Sequence, residues 1–390
     1  MRNAFMPART VVGLLSCMLL LLSARAQPQP VKFKKHIIHQ DFISEGVAVA
    51  DVNNDGQTDV LAGPYWFEAP DWKAHEITAP GKYDYTSEWS DSFVNFAADL
   101  NNDGWTDLVV FDFPGTGVYW FQNPGNSEAH WPQYLIDSTA RNESPTMADV
   151  DNDGNPDLVF GTGNDQLTWF RPSAKGPDKI AWDRIAISTE KAPGGSTFSH
   201  GLGFGDMDLD GKADIFTTGG WWKAPDSFDR SPWVFQEVNL GQPCSQMYLY
   251  DLDLDGDQDV ISASAHNYGI WWHRQSGTDH AAFTEHLIDS SFSQTHGLAL
   301  EDLNGDGLPD LITGKRFFAH NGKDPGGHEP AVLYWFELQR DGQNNPYWIP
   351  HLIDDQSGVG LQLVVEDING DGKKDIVIAN KKGVMFFESY

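Results

Sequence analysis

The sequence predicts an all-β fold, a seven-bladed β-propeller, and three observations carry that prediction. A nine-residue acidic bend, Asp51–Asp59, recurs from Asp99, Asp149, Asp206, Asp251, Asp302 and Asp367. Each bend lies between two short apolar runs, and an aromatic run and a further strand-like segment follow, at a spacing of 45 to 65 residues between bends. The seventh unit stops after its aromatic run, while an unassigned run, Phe33–Ile38, stands at the other end of the chain. A first segment that completes the last sheet would close the array and leave no open edge.

The elements follow in order. Residues 1–26 read as a secretory signal: Arg2 and Arg9 precede the apolar run Val11–Leu22, and Ala24-Arg25-Ala26 supplies a small-x-small cleavage site. The apolar part is too short for a membrane span, so the sequence predicts a secreted chain, periplasmic or extracellular. Cys17 lies inside this segment and leaves only Cys244, which excludes an intramolecular disulfide in the mature chain. Residues 31–390 then hold the seven blades, with no second domain and no segment of helical period. The third strand of each blade is aromatic: Tyr65-Trp66-Phe67, Tyr119-Trp120-Phe121, Thr168-Trp169-Phe170, Trp221-Trp222, Trp271-Trp272, Tyr334-Trp335-Phe336 and Met385-Phe386-Phe387. These are read as blade core, and the repeated His36, His75, His286 and His351 of the fourth strands as architectural.

The bends carry the chemistry of a hard-cation loop. Position 1 is Asp51, Asp99, Asp149, Asp206, Asp251, Asp302 or Asp367, and position 3 is Asn53, Asn101, Asp151, Asp208, Asp253, Asn304 or Asn369. Position 5 is Asp55, Asp103, Asp153, Asp210, Asp255, Asp306 or Asp371, and position 9 is Asp59, Asp107, Asp157, Asp214, Asp259, Asp310 or Asp375. Position 6 is always Gly. An EF-hand would need Glu at position 12 and flanking helices, and neither is present. Carboxylates held ~4 Å apart repel by roughly 1–4 kcal/mol per pair. A chain that repeats this seven times is expected to hold up to seven Ca²⁺.

Charge supports the same reading. The chain has 26 basic and 56 acidic residues, and 24 of the acids are bend ligands. So acidic a surface excludes nucleic acid as a partner.

The acidic bends join first and second strands and share one face of the disc, which leaves the opposite face free for a site. Residues six before each first aspartate should ring the central opening there: Glu45, Phe93, Glu143, His200, Ser245 and His296. Neighbouring connections add Asp165, His266, Tyr268, Lys315, Arg316, Lys381 and Lys382. His200, His266, His296, Tyr268, Lys315 and Arg316 are therefore the candidate catalytic residues. They would form a cationic sector facing Glu45, Glu143 and Asp165. Arg316 would fork onto a ligand carboxylate, and an imidazole or Tyr268 would abstract a proton in an elimination. Three histidines with Glu45 could instead hold zinc or another transition metal. A solvated rim is the plain structural alternative. Trp89 and Trp221 are the aromatic stacking candidates. No Gly-x-Ser-x-Gly elbow and no aligned carboxylate pair favours a hydrolase.

The repeated Asp-Val-Asn-x-Asp-Gly-x-x-Asp bends followed by Trp-Phe strands resemble the FG-GAP/VCBS repeat family of secreted calcium propellers. The resemblance covers essentially all of residues 31–390, although the Phe-Gly and Gly-Ala-Pro signatures are only partly present, as Phe204-Gly205 and Ala62-Gly63-Pro64. It implies a calcium-stabilised propeller. The family includes integrin-α heads, which bind proteins, and is similar to the propellers of aldos-2-ulose dehydratases and polysaccharide lyases, which act on sugars. Two readings follow: a carbohydrate-binding or carbohydrate-eliminating protein acting at the central funnel on a uronate or keto-sugar, and a non-catalytic adhesion scaffold for an extracellular protein.

Overall fold

A computed structural model describes residues 31–390 apart from 177, 178, 229–231, 278 and 279. The expected leader, residues 1–26, lies outside the described residues. Seven four-stranded antiparallel sheets form the fold. In the first six blades the strands run in chain order from the inside outward, beginning at Ala48–Ala50, Val94–Ala98, Thr146–Ala148, Gly203–Gly205, Tyr248–Tyr250 and Thr295–Glu301. Blade 7 is made from Leu363–Glu366, Asp375–Asn380 and Gly383–Ser389, with Phe33–His39 as its outer strand. Phe33 pairs with Ser389 and Ile37 with Met385, so the two ends of the chain share one sheet. The innermost strand of blade 7 contacts that of blade 1, which closes the ring.

Burial follows strand rank. The second strands, such as Asp59–Ala62, Asp107–Phe111 and Asp375–Asn380, are buried at every residue, which is why they read as continuous apolar runs without alternation. The fourth strands alternate or are largely exposed, as in Lys73–Glu76. The core lies between blades. One cluster joins Val60, Ala62 and Phe67 of blade 1 to Val377, Val384 and Phe386 of blade 7. Others join blades 1 and 2 and blades 2 and 3 in the same way. Among the described residues helix is confined to two short 3-10 turns, Gly163–Asp165 and Ala319–Gly322, and none is long and apolar enough to cross a membrane.

The fourth-strand histidines are architectural. Rings of His36, His75, His286 and His351 stack on Phe386, Trp66, Trp272 and Trp335 at 5.3, 4.2, 4.6 and 4.3 Å. Three of them also pair with a third-strand glutamate: His36 with Glu388 at 2.7 Å, His75 with Glu68 at 2.7 Å and His351 with Glu337 at 2.8 Å. Trp221 belongs to the core too. It is 2% exposed and pairs with Phe216 across the second strand, so the expectation of a stacking platform there is corrected. Its sequence neighbourhood looked like a loop because the hairpin before it is only two residues long.

One blade departs from the aromatic rule in an instructive way. The place held by Phe67, Phe121, Phe170, Phe336 and Phe387 is taken in blade 5 by His273, paired with Val260. It is 2% exposed and hydrogen-bonded to the Ser262 hydroxyl at 2.8 Å. Burial, with the charge of His286 as a lesser cause, lowers its pKa to about 4. The unfolded chain takes up a proton near the ordinary value of 6.5 that the folded chain refuses. Stability is therefore lost as pH falls from 6.5 towards 4, by roughly 3 kcal/mol from this group. Replacing His273→Phe together with Ser262→Ala, which removes the widowed hydroxyl, should flatten that acid limb in denaturant titrations. An unchanged pH profile would show that His273 is reached by solvent.

Candidate functional site

The seven acidic bends are built alike. The first aspartate takes the amides of positions 5 and 6, as Asp55 N to Asp51 Oδ1 at 3.1 Å and Gly56 N to Asp51 Oδ2 at 2.9 Å. Position 4 adopts a left-handed conformation, with φ from 58° to 75°, and is Asn, Leu or Gly. Position 6 does so at φ from 85° to 95°, where only glycine is free of strain. The ninth residue is fully buried in every bend. Asp59 accepts from Val52 N at 3.0 Å and from Ala69 N at 2.8 Å, which ties the bend to the end of the third strand. In blade 3 that second donor position is Pro172, which has no N–H. Burial raises these carboxyls, Asp59 to about 6 and Asp107, Asp214 and Asp310 to about 7.

The bends fit a hard cation on geometry as well as composition. In blades 3, 4 and 5 three carboxylates offer oxygens within 4.8 Å of one another. Asp151 Oδ1 and Asp208 Oδ1 are buried without a hydrogen-bond partner although the other oxygen of each is held by a basic side chain. An oxygen kept bare beside other carboxylates is what a calcium ligand requires.

On the opposite face the ring residues converge as the spacing predicted, with a different pairing. Neighbouring blades are stitched by Glu45 N to Ser92 O at 2.8 Å, Glu143 N to Ser199 O at 3.0 Å and Gly297 N to Gly360 O at 3.1 Å. Two glutamines bridge the centre below them. Gln362 exchanges hydrogen bonds with the Asn95 backbone at 3.0 and 2.9 Å, and Gln246 donates to Leu361 O at 3.0 Å while accepting from Leu298 N at 3.1 Å. Gln246 lies one residue past the aligned ring position Ser245, and Gln362 falls in the seventh unit, where an extra residue around Gly360 and Gln362 blurs the alignment.

Above the floor, His200, His266 and His296 come together, with ring centroids 4.7 to 5.7 Å apart. His200 Nδ1 donates to Phe198 O at 2.8 Å and His296 Nδ1 to Gln294 O at 3.1 Å. A carbonyl only accepts, so each Nδ1 carries a proton, and in a neutral ring Nε2 presents a lone pair. Neither Nε2 has a hydrogen-bond partner, and the residues are 6% and 0% exposed. Glu143 Oε2 lies 3.4 Å from His200 Nε2, and ligand atoms of Glu143, His200 and His296 all fall within 4.8 Å of one another. Three acceptors facing one another need a cation between them, either a proton or a metal. Burial and Arg316 lower His296 well below the ordinary imidazole range. For Glu143, burial alone would raise the carboxyl, but the charges of His200 and Arg316 outweigh it and hold it near 2.

Arg316 corrects the expectation of a free fork. It is 3% exposed and spends both arms internally, Nη2 on Glu45 Oε1 at 2.8 Å and Nη1 on Glu143 Oε2 at 3.3 Å. The acidic and cationic sectors therefore form one buried network rather than opposite walls, because a guanidinium at that depth must be paired. Glu143 joins the network to the histidines. Glu45, expected as the fourth partner of the histidines, pairs with Arg316 and, among the described residues, belongs to no metal-like cluster. Lys315 and Tyr268 stand apart: Lys315 Nζ donates to Gly326 O and lies 3.9 Å from Glu329, to which Tyr268 donates at 2.8 Å. Both brace the segment Phe317–Ala331. Asp165 pairs with Arg141 at 2.9 Å.

That braced segment contributes residues that spacing alone missed. His320 stacks on His266 at 4.7 Å and pairs with Asp324 at 3.0 Å, and Asp324 also lies 3.4 Å from His266. Trp89, Phe93, Phe113, Phe198, His320, Glu143 and Arg316 line a cavity of about 260 Å³ over the network. Lys381 sits 3.8 Å from the Trp89 ring centre, and burial lowers its pKa to about 8.

The chain is similar in sequence to known proteins in part of its length. Residues 99–160 and 251–313 match the FG-GAP-like repeat, and each match runs over two acidic bends. Integrin alpha-3 of Cricetulus griseus is 27% identical over 161 residues, covering 33% of this chain and 15% of the relative, so the chain spans a small part of that protein. Among solved structures, an Agrocybe aegerita lectin recognising non-reducing terminal N-acetylglucosamine aligns with a TM-score of 0.47 at 19% identity, over 84% of this chain and 82% of the other. The exotype rhamnogalacturonan lyase YesX gives 0.48 at 12% identity, over 92% and 75%. Rhamnogalacturonan lyase YesW gives 0.47 at 12%, over 90% and 71%. The chain is a seven-bladed β-propeller, and residues 99–160 and 251–313 of it are similar to the FG-GAP-like repeat.

Proposed function

We propose that this is a secreted, calcium-stabilised propeller whose funnel binds a carbohydrate at a transition-metal site formed by Glu143, His200 and His296. The observation that carries the reading is the pair of buried, unpartnered Nε2 atoms beside a carboxylate. Two imidazoles and a carboxylate form a ligand set for zinc or a similar divalent ion, with positions left over for a ligand. Such an ion supplies Lewis acidity to a carbonyl or hydroxyl oxygen.

The remaining work falls to the chain. The Phe198 and Gln294 carbonyls fix the two rings, and Arg316 holds Glu143 in place. Trp89 and the three phenylalanines offer flat apolar faces of the kind on which a sugar ring stacks. A volume near 260 Å³ accommodates one sugar unit or a chain end rather than the middle of a polymer. His266, its pKa lowered by burial and its Nδ1 3.4 Å from Asp324, can take a proton from a carbon beside a carbonyl. That would make the reaction an elimination or dehydration of a uronate or keto-sugar.

The test has two arms. Metal analysis of the purified protein, with cobalt substitution read spectroscopically, should show one transition metal per chain that is lost in His296→Ala and His200→Ala. Incubation with uronate oligosaccharides and keto-sugars should give a new conjugated double bond, at least 100-fold slower in His266→Ala with the metal retained. A funnel that holds only a proton between Glu143 and His200, and neither binds nor turns over any sugar, would return the chain to the adhesion-scaffold reading.

A further inference from the structure

The seven bends fall into two groups that the composition of the ligand set alone does not separate. In blades 3, 4 and 5, position 3 is Asp151, Asp208 and Asp253; in the other four it is Asn. The residue that follows the core aromatic of the third strand changes in step. It is Arg171, Lys223 and Arg274 beside the three aspartates, and Glu68, Gln122, Glu337 and Glu388 beside the four asparagines. All seven blades obey the rule.

Hydrogen bonding gives the physical reason. In three of the four asparagine bends the side-chain amide of position 3 donates to position 5: Asn53 to Asp55 at 3.1 Å, Asn101 to Asp103 at 2.8 Å and Asn304 to Asp306 at 3.2 Å. An aspartate at position 3 cannot donate, and its charge would repel that of position 5. The third-strand cation takes over the lost role in two of these bends. Lys223 Nζ bonds Asp208 Oδ2 and Asp210 Oδ2, the second at 2.7 Å. Arg274 bonds Asp253 Oδ2 at 2.5 Å and Asp255 Oδ2 at 2.9 Å. Arg171 bonds Asp151 Oδ2 at 3.3 Å and reaches Asp183 with its other arm at 3.4 Å.

The geometry points to two kinds of bend: three, in blades 3–5, whose carboxylate charge is offset by a third-strand cation of the chain itself, and four, in blades 6, 7, 1 and 2, which have no cation at that position and rely on a bound divalent ion to offset theirs. The dependent four are consecutive around the ring and enclose the sheet in which Phe33–His39 meets Gly383–Ser389. Ion dependence is thus concentrated where the ring is sealed by two ends of one chain. Glu68, Glu337 and Glu388 add negative charge beside three of the dependent bends, and the basic residues subtract it beside the others. The ion is expected to bind the three glutamate-flanked bends more tightly than those of blades 3–5 by about ten-fold, the Coulomb effect of one charge on a divalent ion a few ångström away in a water-like dielectric.

Amide hydrogen exchange resolved by peptide tests this on the full chain with and without calcium. In the chelated protein, bends 51–59, 99–107, 302–310 and 367–375 should exchange at least ten-fold faster than with calcium, while 149–157, 206–214 and 251–259 change little. Exchanging the pair in blade 5, Asp253→Asn with Arg274→Glu, should move bend 251–259 into the dependent group. The reverse exchange in blade 6, Asn304→Asp with Glu337→Arg, should protect bend 302–310 without ion. Seven bends that respond alike, or exchanged pairs that leave their bends in the original group, would overturn the inference. A protein in which no bend responds to calcium would instead refute calcium binding itself.

Discussion

Chelation of divalent ions is expected to lower the melting temperature by about 20 °C. An ion bound only by the folded chain adds about 2.7 kcal/mol when present at a hundredfold excess over its dissociation constant. Four dependent bends would together contribute about 10 kcal/mol, and in a chain of this size each kcal/mol corresponds to about 2 °C. The bends have no covalent substitute: Cys244, buried, is the one described cysteine and forms no disulfide. Calorimetry with a calcium-selective chelator, followed by restoration with Ca²⁺ and separately with Mg²⁺, measures the effect. Calcium should restore the transition and Mg²⁺ should not, since the smaller ion demands a stricter octahedron than these bends offer. An unmoved transition would mean that the aspartates are satisfied by amides alone.

Arg316→Met should be the most damaging single substitution in the funnel, costing about 3–5 kcal/mol. The guanidinium lies between Glu45 and Glu143, which are 1% and 5% exposed, so its removal strands two buried carboxylates. It also packs 5.3 Å from the Trp89 ring centre and 5.8 Å from that of Phe93. The loss should be relieved in part by Glu45→Gln in the same chain, because one stranded charge then disappears. Denaturant titration of the two single variants and the double reads the coupling directly. A loss below about 1 kcal/mol would show that water reaches the network and that the pair is of the exposed kind.

Much of this was legible in the chain. The Asp51–Asp59 bend and its six repeats announced blade number, strand order and the face on which the bends lie, because each repeat is a local unit whose turn chemistry is written in nine consecutive residues. The ring residues Glu45, Glu143, His200 and His296 were equally accessible, since a fixed offset from a fixed bend is a fixed place in a repeat. His266 was found only as a neighbour on a connection. His320 and Asp324 were missed, for they lie in the Phe317–Ala331 segment, which has no counterpart in the other blades. Trp221 was misplaced because a two-residue hairpin resembles a loop until its pairing with Phe216 is known.

The sequence by itself determined the repeat, the ligand chemistry of the bends and the set of residues available at the funnel, since each of these depends on spacings of at most a few residues within one unit. Tertiary structure alone decided who pairs with whom across the ring. Arg316 meets Glu45, 271 positions away in the chain, and Gln362 meets Asn95, 267 away. Closure brings such groups together in a buried place where each charge and amide must find a partner, and no local pattern records which partner that will be.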